Sequence, residues 1–160
     1  MRTISIESNG RIEKTAIYVN GEQVSGIREL LVSIDEEGTF NTIISFEDQA
    51  GIIHTKNLFT DDLSLLRRKD ASFTIEDSLQ LKVFTIESDG DLENTSLYMN
   101  DEFIEGVVSI MIHLKASTHI QKQTFLSSLF NKKQLASEIY FQTEIVYRNS
   151  DDSHSIESIF

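Results

Sequence analysis

The side chains that most often carry chemistry are present here without the spacing that chemistry needs. Four histidines, His54, His113, His119 and His154, contain no pair at i, i+4 or at i, i+2, the spacings that place two imidazoles on one helical or strand face. They read as surface or packing residues. Glu87, Asp89, Asp91 and Glu93 alternate along one turn, as calcium ligands might. The related stretch Glu7, Asn9, Arg11, Glu13 places a cation where a ligand is needed, and neither stretch has the length of an EF-hand loop. A hairpin turn accounts for both. The 26 acidic residues single out no pair for glycoside chemistry.

Nucleophiles give no stronger signal. The chain has no cysteine, which excludes a catalytic thiol, thiolate-bound metals and disulfides. It has no Gly-x-Ser-x-Gly elbow and no glycine-rich phosphate loop. The expectation is therefore a protein that is not an enzyme and needs no metal or cofactor. A formal net charge of −12 disfavours direct nucleic-acid binding, which relies on clustered Lys and Arg. No apolar run approaches the ~18 residues of a membrane span, and MRTISIESNG lacks a signal-peptide apolar core. The expected location is the cytoplasm.

The elements that position these residues come in two related sets. Residues 6–26 and 86–106 align without a gap at an offset of 80, and ten of the 21 positions are identical. The identities include Glu7/Glu87, Gly10/Gly90, Tyr18/Tyr98, Asn20/Asn100 and Gly26/Gly106. Further on, Phe40, Thr42, Ile44 and Phe46 resemble Phe141, Thr143, Ile145 and Tyr147 at an offset of 101. The later set has thus gained about 21 residues, near 116–136. The pattern reads as an internal duplication, with a first β repeat at 1–59, a connecting helix/strand segment at 60–82 and a second β repeat at 83–160.

Each set reads as strands. Thr3 to Glu7 alternates polar and apolar residues. Asn9-Gly10, Asp89-Gly90 and Asn20-Gly21 are hairpin-turn dipeptides, and Asn100-Asp101 tolerates the same positive φ. Gly26 and Gly106 precede a further strand, where a bulge or turn is expected. Residues 71–76 and 79–86 read as strands, and 61–68 and 124–136 as short helices. The expected fold class is mainly β: two tandem copies of a small antiparallel sandwich- or barrel-like unit with one or two short helices.

Two sets of residues are candidate contact sites. The unmatched segment combines Phe125, Leu126, Leu129 and Phe130 with Lys132 and Lys133, a basic and apolar spot in an acidic chain. It reads either as a docking element for a protein partner or as a cap on the second β core. Tyr18, Asn20, Tyr98 and Asn100 could form a repeated surface, or could simply pack on the strands and make the turns.

The stretch Ile-Glu-Ser-(Asn/Asp)-Gly, continuing through Tyr-x-Asn-(Gly/Asp)-Glu to Gly, resembles small β-rich proteins of unassigned role carried by phages and prophages of Gram-positive bacteria. That resemblance implies an accessory protein, either a virion component or an inhibitor of host defence. Three functions are expected from the whole. The first is a non-enzymatic protein-binding module that masks the surface of a host protein. The second is a structural or assembly component in which two fused repeats replace a homodimer. The third is a small-ligand-binding protein with a cleft between the repeats. A protein partner, either a host protein or a second copy, is expected in the first two.

Overall fold

The computed structural model describes residues 1–116 and 139–160. The chain is mainly β and forms two antiparallel sheets in a sandwich-like arrangement. Among the described residues thirteen strands run in chain order. β1 (Arg2–Ser8), β2 (Thr15–Val19), β3 (Glu22–Ser25), β4 (Ile27–Asp35), β5 (Phe40–Glu47), β6 (Ile53–Asn57) and β7 (Arg67–Arg68) precede the helical turn α1 (Ile75–Ser78). β8 (Lys82–Ser88), β9 (Ser96–Met99), β10 (Glu102–Phe103), β11 (Val107–Ala116), β12 (Ile139–Arg148) and β13 (His154–Ser158) follow it.

The first sheet has the order β10-β9-β8-β1-β2-β3-β7, and the second β13-β12-β11-β4-β5-β6. Each sheet therefore takes strands from both halves of the chain, with the halves meeting at its centre. At one seam Ser5 lies opposite Thr85, and their hydroxyls are 2.9 Å apart. At the other Val32 lies opposite Ile112. Both are pairs of residues 80 apart, the offset of the sequence match.

The registers obey the offsets read from the sequence. Val32 faces Thr42 across β4/β5, and Ile112 faces Thr143 across β11/β12. Ile44 faces Lys56, and Ile145 faces Glu157. The offset of 101 continues to the buried pair Leu58 and Ile159, whose amides donate to the Thr42 and Thr143 carbonyls.

Alternation along the strands explains the core. Ile4, Ile6, Phe84 and Ile86 project from the first sheet onto Leu30, Val32, Ile110 and Ile112 of the second, all nearly inaccessible and in one cluster. Ser8 and Ser88 also face inward, each with its hydroxyl hydrogen-bonded to Thr15 or Thr95. Asn20-Gly21 and Asn100-Asp101 have positive φ at both positions, as a type I′ hairpin turn requires. The register shifts after Gly26 and Gly106 are the expected bulges.

Four local expectations are corrected. Residues 61–68 are not helical: a turn closed by the Leu66 amide on the Leu63 carbonyl leads into β7, because both leucines are buried in the core. Residues 71–76 are not a strand. Thr74 caps α1 there, accepting from the Asp77 amide while the Asp77 carboxylate accepts from the Thr74 amide. The predicted strand over 79–86 begins only at Lys82. Asn9-Gly10 and Asp89-Gly90 do not make two-residue hairpins. Only the glycines have positive φ, and short 3₁₀ turns at Ile12–Lys14 and Leu92–Asn94 complete the connections.

Candidate functional site

The six candidates of the unmatched segment, Phe125, Leu126, Leu129, Phe130, Lys132 and Lys133, lie outside the described residues. The four repeated candidates are well placed. Asn20 and Asn100 hold their turns: their side-chain oxygens accept from the Thr3 and Val83 amides at 3.0 and 2.9 Å. Tyr18 and Tyr98 stand on the outer face of the first sheet, where each donates its phenol to a carboxylate. Tyr18 reaches Glu7 at 2.9 Å and Tyr98 reaches Glu87 at 3.3 Å. Glu7 is buried, and burial with the adjacent carboxylate pushes the Tyr18 phenol up to about 12. This pair is a neutral donor satisfying a sequestered carboxylate.

Among the described residues no group of three or more His, Asp or Glu side chains could hold a metal ion. The acidic turn uses its carboxylates on itself: Asp89 accepts from the Asp91 amide and Asn94, and Asp91 from the Glu93 amide. His54 packs on Phe46 and pairs with Asp48 at 2.7 Å. His113 pairs with Glu29 at 2.7 Å and stacks on Tyr140 with ring centroids 5.3 Å apart.

That histidine sits on the outer face of the second sheet, which carries an apolar band. Across the strands Ile43 faces Leu31, Met111 lies on the next strand, and Val146 faces Ile156. Ile156 is 71% exposed and Tyr140 50%. Glu29, Asp35 and Glu144 interleave with this band on the same face.

Two grooves open between the sheets at equivalent places in the two halves. The first, about 350 Å³, is walled by Ile12, Ile17, Val24 and Ile27, with Glu13, Arg28 and Lys69 as its charged lining. The second, about 610 Å³, is walled by Leu92, Leu97, Ile104 and Val107. First-half Ile34, Asp35 and Glu36 complete it, and Glu105 adds a further acid.

The grooves differ in what crosses them. Beside the first, residues 60–72 form a strap that buries Leu63 and Leu66 and adds β7 to the edge of β3. Arg67 runs over Gly26 and donates Nε to the Glu47 carbonyl at 3.1 Å. Lys69 donates its amide to the Gln23 carbonyl, and the Gln23 amide group clasps Ser72 through two hydrogen bonds. Beside the second groove β10 is the last strand of the sheet among the described residues. Phe103 replaces Gln23 and is 58% exposed, resting edge-on against Tyr98. The strap is the feature that sequence reasoning missed. Its signal was present in Leu63-Ser-Leu-Leu-Arg-Arg68, an aliphatic run followed by paired arginines.

Comparison with protein-family models, with curated proteins and with solved structures gives no match. Among the described residues no helix is long and apolar enough to cross a membrane.

Proposed function

We propose that the chain is a non-enzymatic protein-binding module, acting as a phage or prophage accessory protein that inhibits a host defence protein by masking its surface. The observation that carries this reading is the outer face of the second sheet. Tyr140, Ile156 and Ile43 are exposed there beside Leu31, Met111 and Val146, with acids between them. Apolar and aromatic side chains exposed together on one sheet face, among charges that include Lys115 as well as the acids, suit a protein partner. A chain of net charge −12 would be drawn to a basic, nucleic-acid-binding partner.

The test is capture of a partner by the tagged chain in a Gram-positive host, followed by direct binding of the purified pair. Replacing Tyr140 and Ile156 together with Asp should weaken binding by more than about tenfold, roughly 1.4 kcal/mol, while the melting temperature holds. Unchanged affinity would remove this face from the reading.

The second reading is an assembly component. It is favoured by the seams at Ser5/Thr85 and Val32/Ile112, where equivalent strands pair as they would in a symmetric dimer. Light scattering distinguishes the two: a discrete monomer supports the module, and rings or filaments support the assembly component.

A further inference from the structure

The second sheet has β6 and β13 as its outermost strands among the described residues. The ladder fixes which backbone groups point away from the sheet. The Ile159 amide donates to the Thr143 carbonyl, and the Asn149 amide to the Ser153 carbonyl. In the register of β12 with β13 the hydrogen-bonded pairs therefore fall at Ile145/Glu157 and Tyr147/Ser155. His154, Ile156 and Ser158 direct their backbone groups outward, and among the described residues nothing bonds them. On β6 the outward residues are Ile53, Thr55 and Asn57, but there the Asn57 amide donates to the Asp61 carboxylate and the Asn57 carbonyl accepts from the Asp61 amide. The edge strands of the first sheet, β7 and β10, have two residues each. Among the described edges β13 offers the most unbonded backbone.

Its residues suit a second copy of themselves. In an antiparallel pair centred on Ile156, that residue faces its own copy, His154 faces Ser158 at either end, and Ser155 faces Glu157. The outward residues then meet only one another, and each such pair exchanges two hydrogen bonds. A register shifted by two residues leaves one outward residue of each strand unpaired. No like charges stand directly opposite, since the one acid of the strand faces a serine. The strand also has no lysine, proline or bulge, the usual guards of an open edge. Ile156 is 71% exposed because it stands at the rim, with Val146 on one side and no described neighbour on the other. A second copy supplies that neighbour, and the apolar pair Val146 and Ile156 continues across the axis into its counterpart.

We propose that β13 pairs antiparallel with β13 of a second copy about a two-fold axis at Ile156, joining the two six-stranded sheets into one. Such a contact uses the same edge on both copies and closes at two, giving neither a ring nor a filament. It is made by backbone and stands apart from the protein-binding reading, whose outer sheet face stays exposed on both copies. The net charge of −12 on each copy opposes it, so the dimer is weak and gains from screening by salt.

The chain has no cysteine, so an introduced thiol reports the contact without background from the natural sequence. In a hydrogen-bonded antiparallel pair the Cα atoms stand ~5.5 Å apart, within reach of a disulfide. Under mild oxidation Ile156→Cys should give a covalent dimer at least about fivefold faster than Thr55→Cys, its counterpart on β6. Equal rates would overturn the proposal. Chains longer than dimers, formed at the faster rate by the variant carrying both cysteines, would overturn it in favour of a head-to-tail contact of β13 with β6. Without cross-linking, the mass in solution should rise from one chain toward two between about 10 µM and about 1 mM, and more steeply in about 0.5 M salt. His154→Pro removes an outward amide that the β12 ladder does not use, so it should keep the melting temperature and abolish the rise. A mass that stays at one chain, or a folded His154→Pro variant that still dimerises, would overturn the proposal.

Discussion

The two halves build similar grooves and then border them differently: the earlier one, about 350 Å³, has the strap along its edge, and the later one, about 610 Å³, has β10. The wall residues are alike in character, so the difference does not come from the hydrophobic pattern of the strands. It comes from 60–72, which has no counterpart among the described residues of the other half. Where the strap lies, a polar residue such as Gln23 is buried and clasped. Where it is missing, an aromatic such as Phe103 is left on the surface.

The largest effect that bears on this contrast should come from the strap. Leu66→Ala removes a fully buried aliphatic side chain and should cost about 3 kcal/mol in denaturant unfolding. A cost below about 1 kcal/mol would show that the strap is laid on the surface and does not close the groove.

Next come the glycines. Both have positive φ, so alanine at either carries a strain of roughly 1–2 kcal/mol. Gly26→Ala would also drive a methyl into Arg67 and to within 2.7 Å of the Glu47 carbonyl, while at Gly106 it would make only an ordinary contact with the Arg148 carbonyl, at 3.6 Å. Gly26→Ala should therefore be clearly the more damaging of the two. Equal losses would contradict the comparison.

The tyrosines give a smaller difference. Tyr18→Phe deprives a buried carboxylate of its donor and should cost about 1–3 kcal/mol. Tyr98→Phe breaks a longer bond to a more accessible carboxylate and should cost about 0.5 kcal/mol. A pH signature accompanies the first. The Tyr18 phenol is raised from 10.0 to about 12 in the fold. Between those values the unfolded chain has lost the proton that the folded chain keeps, so stability falls as pH rises through that window and is flat below it. Tyr18→Phe should remove that part of the alkaline slope in a series of melts.

The smallest effect is a gain. Asp101 holds φ 67 where the first half has glycine, so Asp101→Gly should stabilise by less than about 1 kcal/mol.

Much of this architecture was legible in the residues. The type I′ turns followed from Asn-Gly and Asn-Asp, and the bulges from Gly26 and Gly106, because these positions need a positive φ that few residues adopt. The registers of β4/β5 and β11/β12 matched the offsets of 80 and 101, because a one-residue slip would turn each strand's apolar side chains out of the core. The pairing of β1 with β8 and β4 with β11 was not legible, since alternation identifies a buried face but not the neighbouring strand. The strap was misread because Leu63, Leu66 and the arginines fit a short helix equally well, and tertiary burial decided against it. Tyr18, Asn20, Tyr98 and Asn100 were correctly located in strands and turns, but nothing in the sequence indicated that Glu7 would be buried beneath a phenol.

The central seams have a consequence for how the chain is made. Strands 80 residues apart must meet before either sheet has a middle, and such long loop closures slow folding. During synthesis the earlier strands emerge first, with the inner edges of β1 and β4 unsatisfied until β8 and β11 arrive. In that interval a neighbouring nascent chain offers the same edges in the same register. Refolding yield should therefore fall steeply with concentration, and the mispaired product should be a dimer joined at the edges that the finished molecule keeps for itself.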